Sequence, residues 1–431
     1  MLSTGVSGQE KHETGFSVRR LWSWRPGGYM RASGQLFGWM ALRAAGQAVL
    51  VILLARLLRA DGFGRFVTAV AITAFFTPLA GLGLPGVMLR DLARTPQRLS
   101  EDLSQVLRLW WRGAATFSVL GLVTALTVLH GQVSALVLLA FVPAEIASAS
   151  LVNLLARVEQ SQHRIGRYGA ITASLVLARL AVLGIFVVLG DMTVAAWMLA
   201  YAAASAACAS VLFVLVLRTY HPGGRQALRY TLVRDGLAFA WGEFSQRLQS
   251  EFNKPVLAQF SFALAGTFTV SQRIVGVANL PLHAMQDALW PRLYASPNHS
   301  RRMLVSAIAM LCLAVTGGAF LYILAPLLPL LLGRGFSSTV RVLRWLAWVP
   351  ALQVVRNVGT FHVIATHRRS ALVWSYTVGA VAGVTATVVL VVKYGLAGAT
   401  AAIYLTEFAI VVTQLALLLA PLGRQDSSSG S

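Results

Sequence analysis

Eight basic residues lie inside long apolar stretches of the sequence, where a charge is costly. An arginine near the centre of a membrane-spanning helix costs roughly 2.5–3.5 kcal/mol on insertion scales, so such residues usually face a bundle interior, a wet cavity or a partner. The guanidinium group is planar and permanently charged, and it can donate two parallel hydrogen bonds to phosphate oxygens. The pattern therefore indicates anion binding within a bilayer. The eight residues are Arg43, Arg108, Arg112, Arg179, Arg247, Lys254, Arg273 and Arg356.

The densest charged pattern lies between residues 243 and 254. It consists of Glu243, Arg247, Glu251 and Lys254. Their spacings of four, four and three residues place all four side chains on one face of a helix. Two interpretations fit this pattern. Either the face is the wall of a polar cavity with a carboxylate that takes up and releases a proton, or the charges neutralise one another within the helix.

The remaining intramembrane charges are candidates for binding or for structural ion pairs. Arg43 lies nine residues into the first apolar segment, about 13 Å along the helix axis and so near mid-bilayer. It is the first candidate for anion binding, with an ion pair to Glu145 or Glu243 as the alternative. Arg108 and Arg112 begin a segment, where long side chains reach the lipid headgroups. The binding candidates are Arg43, Arg179, Arg247, Lys254, Arg273 and Arg356, and the coupling-ion candidates are Glu145, Glu243, Glu251, Asp287 and Glu407.

The composition requires that membrane helices position these residues. Of 431 residues, 57% are hydrophobic and 12% are charged, against roughly 25% charged in soluble proteins, which excludes an ordinary soluble enzyme. Within a bilayer such segments must be helices, because only a helix pairs its own backbone groups without water. The apolar segments fall at about 34–56, 66–88, 105–129, 134–156, 169–190, 193–217, 235–259, 268–290, 303–332, 344–366, 371–392 and 396–420.

The distribution of basic residues predicts the orientation. The first thirty residues are polar and basic and do not read as a signal peptide. The N-terminal tail and the even-numbered connections hold 21 Lys and Arg residues, whereas the odd-numbered connections hold seven. Because basic residues are retained on the cytoplasmic side, both termini are expected there. The formal charge of +21 then reflects contact with anionic lipids of the inner leaflet rather than with nucleic acid.

Motifs for metal binding and for hydrolytic chemistry are missing from the sequence. Cys208 and Cys312 have no His or Cys at metal-ligand spacing nearby, so neither a metal site nor a disulfide is expected. We find no Walker sequence, no G-x-S-x-G and no H-E-x-x-H. We therefore expect a protein that is not an enzyme and that has no cofactor.

An internal repeat indicates two lobes. Leu54-Ala55-Arg56 is followed by Gly64-Arg65-Phe66, and Leu257-Ala258-Gln259 is followed by Gly266-Thr267-Phe268, at an offset of about 203 residues. Six helices per lobe would give both lobes the same orientation, with a substrate site between them. The predicted organisation is a cytoplasmic tail 1–32, an N-lobe 33–217, a cytoplasmic linker 218–234, a C-lobe 235–421 and a cytoplasmic tail 422–431.

Gly81-Leu82-Gly83-Leu84-Pro85-Gly86 predicts a break near the inner end of the second segment. Proline removes a helical hydrogen bond and glycine removes side-chain bulk, so Gly81, Gly83 and Pro85 are hinge candidates. The same residues could simply end the helix.

Three stretches resemble bacterial polysaccharide-unit flippases, the Wzx family of the superfamily that also holds MATE multidrug exporters and the lipid II flippase. They are 55–94, 239–293 and 395–408, the first reading ARLLRADGFGRFVTAVAITAFFTPLAGLGLPGVMLRDLAR. The sequence departs from the family at Asn253-Lys254, where the family often has Asp before the cation of helix 7. Any coupling role of that acid would then pass to Glu251 or Glu243.

The resemblance implies an all-α polytopic membrane protein of about twelve helices in two six-helix, MATE-like lobes. It also implies translocation of undecaprenyl-pyrophosphate-linked oligosaccharide across the bacterial inner membrane by alternating access, for exopolysaccharide or lipopolysaccharide synthesis. The binding candidates would hold pyrophosphate and glycan, and polysaccharide polymerase machinery is a possible partner. The alternatives are a multidrug or organic-ion antiporter, a lipid II flippase, and a membrane polymerase or ligase. The excess of basic residues in the spans disfavours the antiporter. The short outer connections disfavour the polymerase or ligase.

Overall fold

The computed structural model describes residues 28–92, 99–190, 192–223, 230–283, 285–286, 299–365 and 369–419. All regular secondary structure in these ranges is helical. Most of the predicted tail 1–32, part of the linker and the C-terminal tail lie outside them. The N-terminal half contains α1 (Gly28–Ala80), α2 (Leu84–Leu92), α3 (Leu99–Val128), α4 (Ala135–Ser161), α5 (Ile165–Leu189) and α6 (Val194–Tyr220).

The C-terminal half is more interrupted than the N-terminal half. Two 3₁₀ turns, Ala325–Leu327 and Arg334–Phe336, separate its shorter helices. Its helices are α7 (Tyr230–Glu251), α8 (Asn253–Ala258), α9 (Phe262–Ala278), α10 (His299–Leu324), α11 (Leu328–Leu332), α12 (Thr339–Leu346), α13 (Val349–Ala365), α14 (Arg369–Tyr394) and α15 (Leu396–Leu419).

The helices overlie all twelve predicted apolar segments in the described part of the chain. Eight of them are long and apolar enough to cross a membrane, with α1 counted once although it spans two segments. A further apolar helix, Phe262–Ala278, is shorter. The predicted all-helical, polytopic fold is therefore confirmed, and the chain is a multi-pass membrane protein.

The first predicted connection is a sharp break rather than a loop. The sequence places Arg56, Arg59 and Arg65 between two segments, but α1 is helical throughout this region except at Arg59. Arg59 has φ 58° and ψ 178°, a conformation that is rare for a residue with a side chain. Two helices thus meet directly at Arg59, which defines the far end of the bundle; the near end is the one from which α1 begins at Gly28.

The predicted seventh segment, 235–259, comprises α7, which ends at Glu251, and α8, which begins at Asn253. Phe252 between them keeps helical angles, φ −64° and ψ −28°, and its N–H donates to the Leu248 carbonyl group at 3.2 Å. The helical path therefore continues through Phe252. Glu251 and Lys254, three residues apart, lie close enough to pair.

Glycines allow the two halves to touch at the far end. A Cβ atom on Gly64 would lie 1.8 Å from the carbonyl oxygen of Phe262, and one on Gly266 would lie 2.8 Å from the carbonyl oxygen of Ala60. No other residue type fits so close an approach. We call Ala60, Gly64, Phe262 and Gly266 the far contact. Gly64 and Gly266 are equivalent positions of the sequence repeat, and this reciprocal packing is what a duplicated pair of lobes would give.

A second glycine contact joins the halves at the near end. Gly83, with φ 62°, has the carbonyl oxygen of Gly236 1.9 Å from the position of a Cβ atom, and Gly236 faces the carbonyl oxygen of Leu82 in return. An ion pair of 2.8 Å between Arg90 and Asp235 lies on the same pair of elements, α2 and α7. We call Leu82, Gly83, Gly236, Arg90 and Asp235 the near contact.

The break predicted at the glycine-proline motif lies within the near contact. Helix α1 ends at Ala80 and α2 begins at Leu84, with both Leu82 and Gly83 at positive φ. Pro85 is the second residue of α2, where its missing N–H is not needed by the helix. The role of Gly81, Gly83 and Pro85 as a hinge stays a prediction.

Replacing Gly64 with alanine should destabilise the protein, because the added methyl group overlaps the Phe262 carbonyl group. Overpacking of this kind typically costs about 1–3 kcal/mol. We expect a lower Tm for Gly64→Ala in detergent, measured by thermal unfolding. Gly184→Ala is the matched control, since Gly184 lies in α5 with nothing within 4 Å of an added Cβ. Equal Tm values for the two variants would contradict the far contact.

Candidate functional site

A cavity of about 580 Å³, its open mouth included, lies between the two halves. Side chains from both halves form its wall: α1, α5 and α6 contribute on one side, and α7, α8 and α9 on the other. Polar groups and cations stand among the apolar residues of the lining. They are Gln47, Arg179, Tyr201, Glu251, Lys254, Thr269 and Arg273.

One face of α1 forms part of this wall because of its spacing. Gln47, Leu50, Val51 and Leu54 all line the cavity, and steps of three and four residues keep side chains on one face of a helix. Arg43 lies one turn before Gln47 on the same face. The sequence analysis singled out Arg43 but missed Gln47, although the four-residue spacing from Arg43 was a usable signal.

An aromatic cluster holds α1 against α4 and α6 beside the cavity. The ring of Phe66 lies 6.2 Å from Phe141, 5.9 Å from Trp197 and 5.2 Å from Tyr201, between ring centroids. All four rings are buried. This packing positions Tyr201 at the cavity wall, a placement that nothing in the sequence pattern indicated.

Arg179 forms an ion pair inside the N-terminal half. Its Nη2 donates to Glu145 at 2.6 Å, and its Nε donates to the Ser205 hydroxyl at 3.0 Å. The guanidinium carbon lies 4.0 Å from the centroid of the Tyr201 ring. Partners on α4 and α6 thus fix Arg179, which itself belongs to α5 and lines the cavity.

Lys254 and Glu251 form a second ion pair at the cavity wall. The lysine is 1% exposed and the glutamate 6%. Next to them, Thr387 on α14 donates a hydrogen bond of 2.7 Å to the Asn253 side-chain oxygen. Asn253, the position at which the sequence departs from the family pattern, is therefore engaged in a neutral helix-to-helix contact.

A third ion pair lies in the C-terminal half and outside the cavity lining. Arg356 on α13 lies 3.0 Å from Glu407 on α15, and Gln353 donates to the same carboxylate at 2.9 Å. The Arg356 guanidinium also contacts the Asn357 side-chain oxygen at 3.3 Å. The structure thus places two of the binding candidates, Arg179 and Arg356, in ion pairs with coupling candidates on neighbouring helices.

Three arginines remain without a counter-ion in the described part of the chain. No ion pair or hydrogen bond of the Arg43, Arg247 or Arg273 guanidinium group is formed there. Arg43 and Arg247 are exposed and Arg273 is half-buried. Arg43 lies close enough to Arg247, Arg273 and Arg179 for their charges to act on it. Arg179 and Arg273 line the cavity, whereas Arg43 and Arg247 lie outside its lining. The four arginines, from α1, α5, α7 and α9, thus form one cationic group that draws on both halves.

The two remaining acidic candidates have different outcomes. Glu243 is half-buried and makes no ion pair within 4 Å among the described residues, although the charges of Arg157 and Arg247 act on it. The predicted mutual neutralisation of Glu243 and Arg247 within the helix is therefore not formed. Asp287 lies outside the described residues.

The arrangement is suited to holding an anion rather than a metal or a cation. In the cavity lining, Glu251 is paired with Lys254 and Glu145 neutralises Arg179, whereas Arg273 has no counter-ion among the described residues. This excess of positive charge attracts a group that carries several negative charges. Within the described ranges, no cluster of three or more His, Cys, Asp or Glu side chains could ligate a metal ion. Cys208 and Cys312 are free thiols.

Comparison with known protein families decides the affiliation of the chain. The family model described as "Polysaccharide biosynthesis protein" matches residues 41–293, which is more than half of the sequence. The protein belongs to this family. The predicted relationship to polysaccharide-unit flippases is thereby confirmed. A search of curated protein sequences finds no match.

Solved structures of several membrane transport proteins share the fold. A lipid II flippase, MurJ, in an inward closed conformation aligns with a TM-score of 0.73 at 10% identity, covering 89% of this chain and 87% of that one. A multidrug MATE transporter in an inward-facing conformation gives a TM-score of 0.66 at 13% identity, with 85% and 93% covered. The Vibrio cholerae MATE transporter VcmN gives 0.62 at 13% identity, with 90% and 96% covered. At such identities the likeness establishes the fold alone.

Breaking the Glu145–Arg179 pair should destabilise the protein strongly. Glu145→Gln leaves a nearly buried guanidinium without its counter-ion, and removal of one partner of a buried pair costs about 3–5 kcal/mol. Asp61→Asn is the control, because it breaks the exposed Asp61–Arg65 pair, for which about 0–1 kcal/mol is expected. Thermal unfolding of both purified variants tests this. A loss for Glu145→Gln no greater than that for Asp61→Asn would show that the buried pair is dispensable.

Proposed function

We propose that this protein moves an undecaprenyl-pyrophosphate-linked oligosaccharide from the cytoplasmic to the periplasmic leaflet of the bacterial inner membrane. It acts as a transporter, not as an enzyme, and works by alternating access. One observation carries the proposal: three arginines without counter-ions in the described part of the chain come from both halves and lie near one cavity. Arg273 stands in the cavity wall, and the charges of Arg273 and Arg247 act on Arg43, which lies one turn from Gln47 of that wall. Membership of the polysaccharide biosynthesis family supports the same substrate class.

The physical requirement is to replace the hydration of a doubly charged headgroup. A pyrophosphate and its sugars cannot cross about 30 Å of hydrocarbon without losing water, and each lost hydrogen bond is costly. Guanidinium groups supply charge and paired donors to the phosphate oxygens. Gln47 and Thr269 add neutral hydrogen-bonding groups beside Arg273 in the cavity wall, where a glycan would follow the phosphates.

The excess of basic residues at one membrane face supports an orientation of the protein in the membrane. We assign the near end to the cytoplasm, so both termini lie inside and the linker 218–234 joins an N-lobe 33–217 to a C-lobe 235–421. The far contact then closes the periplasmic side, and the near contact joins the lobes at the cytoplasmic side. Alternating access requires that these two contacts break in turn. The basic inner face would also bind anionic lipids and lie near polysaccharide polymerase machinery.

The charges are compatible with two sources of energy for transport, the membrane potential and an ion gradient. Moving one elementary charge through the membrane potential is worth about 2.3 kcal/mol per 100 mV, and an inside-negative potential favours the outward movement of an anion. Among the described acidic candidates, Glu243 is without an ion pair and is the first candidate for binding a coupling ion. Ion coupling and direct use of the potential are both compatible with this arrangement.

A lipid II flippase is the second candidate, because the MurJ fold matches over most of the chain and lipid II presents the same pyrophosphate. The cavity disfavours an exporter of organic cations. Glu251, the described carboxylate at its wall, is already paired with Lys254, whereas Arg273 in the same wall has no counter-ion among the described residues. A cationic substrate would meet repulsion rather than a counter-ion.

Removing the converging arginines should abolish export while leaving the protein in the membrane. We expect Arg43→Ala and Arg247→Ala each to lower surface polysaccharide at least tenfold in cells that depend on this flippase, a loss that corresponds to about 1.4 kcal/mol or more. Arg112→Ala is the matched control, because Arg112 is an exposed arginine of α3, a helix that contributes no side chain to the cavity wall. Polysaccharide and membrane-inserted protein are quantified in parallel.

Normal polysaccharide in both Arg43→Ala and Arg247→Ala cells would overturn the assignment. The same gene tested in cells depleted of their lipid II flippase separates the two substrates. Rescue of those cells, together with no effect on surface polysaccharide, would favour lipid II.

A further inference from the structure

We propose that Glu251 is a built-in counter-anion: its carboxylate neutralises Lys254 in the empty protein, and the pyrophosphate of the substrate displaces it from Lys254. The inference rests on the proposed function and assigns one step of it to a particular ion pair. The displaced carboxylate stays ionised under the charges of Arg273 and Arg247, which already act on it, so no proton moves in this step.

The location of the pair is the first argument. Both side chains line the cavity between the halves, and both are almost fully buried. Arg273 lines the same cavity, and the charges of Arg273 and Arg247 act on Glu251 and on Lys254. Lys254 contacts the Glu251 carboxylate, and the charges of Arg247 and Arg273 act on it as well; the same charges would act on a phosphate that took its place.

The weakness of its anchoring is the second argument. Arg179 and Arg356 each contact polar side chains besides their glutamate, and their pairs join different helices. Lys254 and Glu251 are three residues apart, and within the described structure their side chains form no hydrogen bond other than the one to each other. The two residues lie about one helical turn apart on the same stretch of chain. Such a local pair can open without separating two packed helices.

The need to reset an empty carrier explains why such a pair is useful. After the substrate has left, a buried ammonium group without a counter-ion would be strongly unfavourable. If Glu251 returns to Lys254, the empty cavity can close and the cycle can begin again. Without this carboxylate, the substrate should bind more tightly and leave more slowly.

The test is binding of farnesyl pyrophosphate, a short isoprenyl pyrophosphate, to the purified full-length protein in detergent, measured by calorimetry. We expect Glu251→Gln to tighten binding about tenfold, because the internal competitor for Lys254 is gone. Glu251→Asp keeps the charge but shortens the side chain, so its affinity should be intermediate; this variant carries the test if Glu251→Gln fails to fold. Asp61→Asn removes an equal charge at the far end and should bind like the wild type.

A double-mutant cycle separates displacement from simple long-range attraction. In the Lys254→Met background the carboxylate has no lysine to release, so adding Glu251→Gln should tighten binding far less than it does in the wild-type background. Equal tightening in both backgrounds would overturn the proposal, and so would unchanged or weaker binding by Glu251→Gln and Glu251→Asp. If the wild type does not bind farnesyl pyrophosphate, the proposed function fails and this inference fails with it; wild-type binding without the Glu251 effect refutes the inference alone.

Discussion

The cost of an unpaired charge in a low-dielectric interior governs this molecule. Glu145, Glu251 and Glu407 each have a cationic partner, and removal of either partner would leave a charge that neither water nor lipid can neutralise. The arginines without a counter-ion are therefore the ones that bear on function. Arg43, Arg247 and Arg273 have exposed or partly exposed side chains but no counter-ion in the described ranges, and the proposed substrate anion would supply the missing charge.

The same element connects the cavity to both of its ends. After the break at Arg59, the second part of α1 carries Gly64 at the far contact and leads, about 30 Å later, to Gly83 at the near contact. Residues between them, Phe66, Val67 and Val70, line the cavity. A tilt of this part of α1 relative to the C-terminal half would loosen one glycine contact while tightening the other. In the proposed cycle, binding at the cavity wall and access at the membrane faces would be linked through this helix and the turn that follows it.

Composition and periodicity predicted the fold well, because twelve apolar segments of bilayer length leave few alternatives. They predicted less of the site, and the reason is physical. A spacing such as that of Glu243 and Arg247 permits a local pair, but long side chains choose partners in three dimensions. Glu145 pairs with Arg179 across 34 residues, and Glu407 with Arg356 across 51. A single sequence contains no signal for which helices become neighbours.

The glycine contacts show what a sequence repeat can and cannot predict. The repeat matched Gly64 with Gly266 but gave no reason for the match; the structure gives one, since each glycine lies against the backbone of the opposite half. The break at Arg59 had no such signal. Arginine is not a residue that favours positive φ, and packing on either side, including an Arg56 donation to the Leu331 carbonyl, holds the chain in this shape.

The departure at Asn253 is easier to understand in three dimensions than in sequence. An acid at this position would face Thr387 on α14, whereas the amide forms a neutral hydrogen bond there. The carboxylate is instead found two residues earlier, at Glu251, where it reaches Lys254 one helical turn away. An acid fixed between two helices is suited to holding a small cation, but an acid that faces a lysine in the proposed anion-binding cavity is suited to competing with the substrate. Under that proposal, the shift of two residues would change the chemistry available to this helix from binding a cation to releasing an anion.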